Sequence, residues 1–399
     1  MAAPTRQEIA AANQFARAAI RANAIKMEQV VAANTFTAPS GVNISNVQPV
    51  FSTNGRNVGL IRGFWVKVVA TIDNGSGIDI DLTDWGPANL LSQIQFQDLN
   101  NNTRIQTVGR HIAAINSIRS RRPFGTSLVR TTGFDSPMNF GSNWIDQIAA
   151  PATILAGDQG TVTMWYYVPI AYSDDDLRGA MFAAVLNGTM QLNLTFNPVP
   201  VVANATDSLG AVYVGHVAGS VAACVISDVS VEVTQCYFDQ IPTTKNGVLL
   251  PIVDISTIYE LKNTVLTGIT ANQDFPIQYA NYRDFLSLFV TYTNDPAAGS
   301  RGVGADVNFW ALQSANFTNI WKKSPGLIAT QNRNMLSCDF PPGVYYFGTR
   351  DKPINTNQYG NMQVILNPNT AAAQAYVEAY FEDFAFVQNL SGAGSLAAS

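Results

Sequence analysis

Charge is the scarcest resource in this chain. Asp, Glu, Lys and Arg make up 13% of its 399 residues, about half the share usual in soluble domains. Lysine occurs only at positions 26, 67, 245, 262, 322, 323 and 352, and a surface this poor in charge is either neutral and hydrated or one that neighbours will cover. Histidine is limited to His111 and His216, too few for a histidine-rich metal cage. Cys224, Cys236 and Cys338 form no Cys-x-x-Cys pair and no disulfide framework, so reduced thiols are expected. Long apolar runs are also missing: no window of about 18 residues is apolar enough for a membrane-spanning helix. Arg6 and Glu8 stand where a secretory signal needs an apolar core.

These absences narrow the function. The net charge of −5 argues against a general nucleic-acid binder. His-Glu-x-x-His, the P-loop pattern and Gly-x-Ser-x-Gly are not present. Glutamate is rare, and Glu378 and Glu382 read as solvent-side positions of one strand rather than a catalytic pair. Proton-transfer chemistry therefore has few candidates, and no enzyme activity and no cofactor are expected.

What is present is a low-charge chain, 47% hydrophobic. Residues 5–33 read as a helix, Ala-rich and free of Gly, with Pro only at position 4. Asn13, Gln14, Arg17, Arg21 and Glu28 share one face, and Phe15, Ala19, Ala22 and Val30 lie opposite. Arg6, Phe15, Arg17, Arg21 and Lys26 make this the candidate segment for an anionic membrane surface or a neighbouring subunit; the competing expectation is an ordinary packed helix. From about residue 44 the pattern alternates. Val58, Leu60, Phe64, Val66, Val68, Ala70 and Ile72 share one face, as do Met190, Leu192, Leu194 and Phe196. Val225, Val229, Val231 and Val233, and later Val377, Ala379, Phe381 and Ala385, repeat this. Turn signals such as Asp73-Asn74-Gly75 and Asn294-Asp295-Pro296 separate the strands, so the fold class is all-β, built as antiparallel sandwiches.

The chain also echoes itself. Trp165-Tyr166-Tyr167, a polar loop, then Gly188-Thr189-Met190-Gln191-Leu192 is matched by Val344-Tyr345-Tyr346, a shorter loop, then Gly360-Asn361-Met362-Gln363-Val364. Two copies of one β-domain meeting near 240–247 explain this, with chance similarity as the competitor. Asp174-Asp175-Asp176 reads as the acidic first turn of a short helix capped by Ser173 in preference to a calcium site. One basic run remains, Arg104 to Arg130, with no acid between Asp98 and Asp135. Arg110, Arg119, Arg121, Arg122 and Arg130 are its candidates for an intersubunit contact or a lipid phosphate.

Several blocks, in order, resemble the major capsid proteins of tectiviruses. They include Asp84-Trp85-Gly86-Pro87-Ala88-Asn89-Leu90, the run Tyr166-Tyr167-Val168-Pro169-Ile170-Ala171-Tyr172-Ser173, and Leu250-Pro251-Ile252-Val253-Asp254-Ile255-Ser256-Thr257. Asp339-Phe340-Pro341-Pro342-Gly343-Val344-Tyr345-Tyr346 and Arg350-Asp351-Lys352-Pro353-Ile354 follow, so the likeness spans about 58–385. The resemblance implies a double jelly roll, two eight-stranded rolls side by side, with residues 1–43 as helix and arm, 44–242 and 243–388 as the rolls, and 389–399 as a flexible arm. It implies a homotrimer of near-hexagonal outline. Such trimers tile an icosahedral shell with neighbouring trimers and with penton, minor or cement proteins, around an internal membrane and packaged DNA that the protein does not read by sequence. The N-terminal helix would face the membrane, and the protein would be made and assembled in the host cytoplasm. Residues 172–187 and 295–305 are candidate outward or intersubunit loops. The alternative is a carbohydrate-binding double β-sandwich, a lectin or receptor-binding spike, using Trp310 and Trp321 for sugar stacking.

Overall fold

Alternating strands with one apolar face must cover that face, and here they do so in two sandwiches. The computed structural model describes residues 6–120, 148–173, 176–183, 188–203, 208–215, 221–241, 244–245, 248–249, 257–281, 283–317, 319–336, 340, 343–349 and 353–386. Roll 1 is made of β1 (Ile25–Thr37), β2 (Val50–Asn54), β3 (Leu60–Asn74), β4 (Leu91–Gln97), β5 (Thr103–Thr107), β6 (Gln159–Pro169), β7 (Gln191–Phe196) and β8 (Cys224–Asp239). Roll 2 repeats the set as β9 (Thr257–Thr267), β10 (Phe275–Gln278), β11 (Arg283–Asp295), β12 (Val307–Gln313), β13 (Trp321–Lys323), β14 (Val344–Gly348), β15 (Gln363–Pro368) and β16 (Tyr376–Phe386). Three helices matter: α1 (Arg6–Asn23), α2 (Gly109–Ser120) and α3 (Pro325–Leu336).

The strand order is that of a jelly roll, twice. Roll 1 pairs β1-β8-β3-β6 in one sheet and β2-β7-β4-β5 in the other; roll 2 pairs β9-β16-β11-β14 and β10-β15-β12-β13. Each strand of roll 2 thus occupies the place of its predecessor in roll 1. Along β3, Phe64, Val66, Val68, Ala70 and Ile72 turn inward, as their spacing predicts, and meet Phe96, Tyr166, Leu194 and Val231. Roll 2 has its own core of Leu288, Val290, Trp310, Leu312, Val364, Leu366 and Val377. Trp310 is fully buried, with ring centres 4.9 Å from Tyr345 and 5.4 Å from Phe347. Trp321 packs against the same core and stacks on Phe347. Trp310 is therefore closed to sugar stacking, and Trp321 is half-buried.

The N-terminal segment departs from expectation. The helix ends at Asn23, where Ala24 N–H still donates to Ile20 at 2.8 Å, and Ile25–Thr37 is a strand. Val30, Val31, Thr35, Phe36 and Thr37 favour extended backbone, and β1 pairs antiparallel along β8 from Ile25↔Asp239 to Thr37↔Asp228. Ala content extends the helical pattern to residue 33, but cross-strand hydrogen bonds win from residue 25 onward. On α1, Ala16, Ala19 and Ile20 bury at i, i+3, i+4 spacing, and Ile20 packs with Leu177, Ala180 and Phe238. No described helix is long and apolar enough to cross a membrane. The expected arm at 389–399 lies outside the described residues.

Candidate functional site: the seam between the rolls and the faces left open

Helix α2 follows the β4–β5 hairpin and has two buried sides. Ile112 and Ile115 sink into the core of roll 1, while Arg110, His111 and Arg119 point at the outer face of β9-β16-β11-β14 in roll 2. Arg110 is 8% exposed, and its Nη2 pairs with both carboxylate oxygens of Glu378, the Oε2 contact at 2.5 Å. Its Nε–H donates to the Tyr380 hydroxyl at 2.6 Å, and Nη1 donates to Asn89 Oδ1 at 3.3 Å. Nine residues on, Arg119 Nη2 donates to Glu382 at 2.8 Å and to the Tyr259 hydroxyl at 2.5 Å. Tyr259 in turn donates to Glu382 at 2.6 Å, and Ser287 donates to its second oxygen.

Burial opposes both guanidinium charges, yet the carboxylates and phenols facing them outweigh that cost, and both pKa values rise above the ordinary arginine value. His111 goes the other way: burial first, then repulsion by Arg119 and Arg110, lowers it to about 3. The ring stays neutral between the two arginines. Thr107 Oγ1 lies 2.7 Å from its Nδ1, and it packs on Tyr380 and Phe289 at 5.1 and 6.0 Å between ring centres.

Backbone joins the rolls as well. β5 runs parallel to β9, with Ile105 opposite Leu261 and Gln106 opposite Lys262, so one sheet continues from roll 1 into roll 2. Arg301, in the 295–305 loop, reaches Asp84 of roll 1 at 3.1 Å. Arg178 lies 4.4 Å over the Phe384 ring. Gly179 sits at φ +83, and a methyl there would lie 2.8 Å from the Tyr259 backbone nitrogen. Gly179→Ala is therefore expected to cost about 2 kcal/mol or more, measured as a lower denaturant midpoint. An unchanged midpoint contradicts the close approach.

The structure redirects the basic cluster. Arg110 and Arg119 are engaged inside the chain, across the seam, with Glu378 and Glu382; Arg104 is likewise buried on Asp98 at 2.9 Å. The reason is that Glu378 and Glu382 are not solvent-side: they are 4% and 7% exposed and are the acids that meet these arginines. Arg121, Arg122 and Arg130 lie outside the described residues, as do His216 and Cys338. The signal for the seam was available in β16, where Tyr380 and Phe384 alternate with Val377, Ala379 and Phe381, the pattern of a strand covered on both faces.

Other candidates land as follows. On α1, Phe15 is 49% exposed and Arg21 is exposed; Arg17 pairs with Asp176 at 3.5 Å. Arg6 is helical, with its side chain outside the described set, and Lys26 belongs to β1, 5.9 Å over the Phe238 ring. Asp174 and Asp175 lie outside the described residues, while Asp176 N–H donates to Ser173 Oγ at 2.9 Å and Asp176 is not helical. The described part of 172–187 is no free loop: Leu177, Ala180, Met181 and Ala183 are buried.

Two of the features that stay open among the described residues bear on assembly. The outer face of β1-β8-β3-β6 carries half-buried Trp65, Trp165 and Tyr167, with Lys67 5.3 Å over the Trp165 ring and opposite Glu232. Strands β1 and β13 are sheet edges, and β1 shows Ile25, Met27 and Val30 at 38–53% exposure.

The family model for the P3 major capsid protein N-terminal region matches residues 2–241, and that for the C-terminal region matches 256–398. Over 398 residues the chain is 38% identical to major capsid protein P3 of Enterobacteria phage PRD1, covering 99% of this chain and 96% of that protein. Among solved structures, the STIV MCP aligns at 10% identity with a TM-score of 0.58, over 92% of this chain and all of that one. The Faustovirus major capsid protein aligns at 8% identity with a TM-score of 0.52, over 92% and 91%. These likenesses are to double jelly-roll proteins and agree in fold.

Proposed function

The chain belongs to the P3 major capsid protein family, and from that premise we propose that three copies close into a trimer whose six rolls tile the shell around an internal membrane. It is a major capsid protein and a component of the virion capsid. One observation carries the trimer: the chain holds two rolls of identical strand order, locked side by side by a buried seam. Three such pairs around one axis give a near-hexagonal outline, and cyclic closure requires two unlike faces on each chain. Trimers then meet neighbouring trimers and the penton, minor or cement proteins. Enclosed DNA needs no sequence-specific contact from a chain of net charge −5.

Helix α1 faces the membrane in this proposal. It is tethered by Ile20 and by Arg17–Asp176, with Phe15 and Arg21 at its exposed surface, a pairing of apolar ring and cation suited to an anionic lipid surface. Assembly in the host cytoplasm is part of the proposal, and the free, buried Cys224 and Cys236 agree with it. The test removes residues 1–23 and leaves β1 in place. Trimers should persist by native mass, while membrane-containing particles are lost or become irregular in size. Normal particles from the shortened chain contradict the membrane role.

A further inference from the structure

Two contacts that roll 1 makes with roll 2, the α2 face and the β5–β9 edge, have counterparts that are exposed among the described residues. Strand order and the repeated Tyr-Tyr strands, which set Tyr167 with Tyr346, give the equivalence. Phe289 stands opposite Tyr346 and Tyr380 in roll 2, as Trp65 stands opposite Tyr167 and Thr234 in roll 1. One step along, Glu378 faces Thr291 as Glu232 faces Lys67. The sheet covered by α2 in roll 2 is thus matched by a half-buried aromatic face of roll 1 that no described helix covers.

The covering helix is matched too. α2 and α3 each have 12 residues and each follow the hairpin of the equivalent strands. Ile112 and Ile328 bury in the cores of their own rolls. With these aligned, the positions of His111 and Arg119, which face roll 2, fall on Leu327 and Met335. Both are exposed, at 46% and 38%. The free edges follow the same rule: β5 is paired with β9, while their counterparts β13 and β1 end their sheets.

We propose that α3 of one copy docks on the β1-β8-β3-β6 face of the next copy, with Leu327 and Met335 against Trp65 and Tyr167. The occupant is a second copy of this chain because the contact repeats, in apolar form, the one its own rolls already make. Thioether and leucine on aromatic rings replace the buried arginine pairs, and the pattern of aromatics and Met with little charge is that of an interface core. Edge β13 comes alongside β1, bringing Lys322 and Lys323 toward Glu28, the counterpart of Leu261. The contact is heterologous, and three repeats close it. The inference rests on the trimer proposed above and names the faces that form it.

The pair Leu327→Cys with Thr234→Cys copies the His111–Tyr380 contact between copies. Mild oxidation of the full chain should yield covalently linked dimers and trimers on a non-reducing gel, with neither single variant doing so. Leu327→Asp with Met335→Asp, at exposed sites that spare the fold, should raise the concentration at which trimers dissociate by about a hundredfold or more. A trimeric double-aspartate variant together with no cross-link overturns this assignment and leaves the trimer standing. A monomeric wild-type chain overturns the trimer itself, and the assignment with it.

Discussion

Arg110→Ala is expected to cost about 3–5 kcal/mol of stability, because it leaves Glu378 as a buried carboxylate without its partner. Glu378→Ala should cost a similar amount for the converse reason. Arg110→Met combined with Glu378→Leu should recover most of the loss, since a well-packed apolar pair replaces a buried ion pair at little net cost. A double-mutant cycle built from Arg110→Met, Glu378→Leu and their combination, read from denaturant midpoints, should therefore show coupling of about 2 kcal/mol or more. Additive effects contradict a shared seam. The pair also holds the angle between rolls: Nη2 on Glu378 and Nε on the Tyr380 hydroxyl fix α2 in one orientation. The apolar double variant tests that separately, because a stable chain with impaired particle assembly shows the arginine to be a positioning residue.

Raising the pH should weaken roll 2 through Asp383, the reverse of the usual carboxylate. Asp383 points into the roll beside Phe381, opposite Glu260 on one side and Phe285 on the other. Burial raises its pKa from 3.8 to about 7; Arg283 and Lys262 pull it down, and Glu260 and Glu382 push it up. Between those two values the unfolded chain has released the proton that the folded chain keeps. Stability from this group is full below the unfolded value and is lost as pH rises through about 7. Asp383→Asn should consequently stabilise the protein by about 2–4 kcal/mol at pH 8 and by almost nothing at pH 4. His111 supplies the opposite slope. Its folded value of about 3 lies below the ordinary 6.5, so stability falls as pH drops through that window. In wild type the two slopes offset one another; in Asp383→Asn the histidine slope should stand alone. A pH-independent gain from Asp383→Asn contradicts the buried-acid assignment.

How far the sequence could be read depended on the range of the forces involved. Strand identity was legible because half-buried strands write their period locally: β3 and β7 alternate as read, and the two Tyr-Tyr strands, β6 and β14, are structural equivalents. The helix boundary was not, because Ala32 and Ala33 favour helix locally while their partners Val233 and Glu232 lie about 200 residues away. The arginine cluster failed for the same reason. Arg110 and Glu378 are 268 positions apart, and no local pattern says that two charged strand and helix faces will be buried together. The aromatic face of roll 1 was hidden by its own chemistry: Trp65, Trp165 and Tyr167 look like core residues until register shows that they point outward. What the colinear family blocks supplied was the pairing of two rolls in one chain, which periodicity alone does not fix.

The central claim is that a chain with two rolls completes itself only with copies of itself. Native mass measurement of the purified protein tests this most directly. A species at three times the 43.0 kDa chain mass, persisting on dilution, is the predicted result; a stable monomer at assembly concentrations contradicts it.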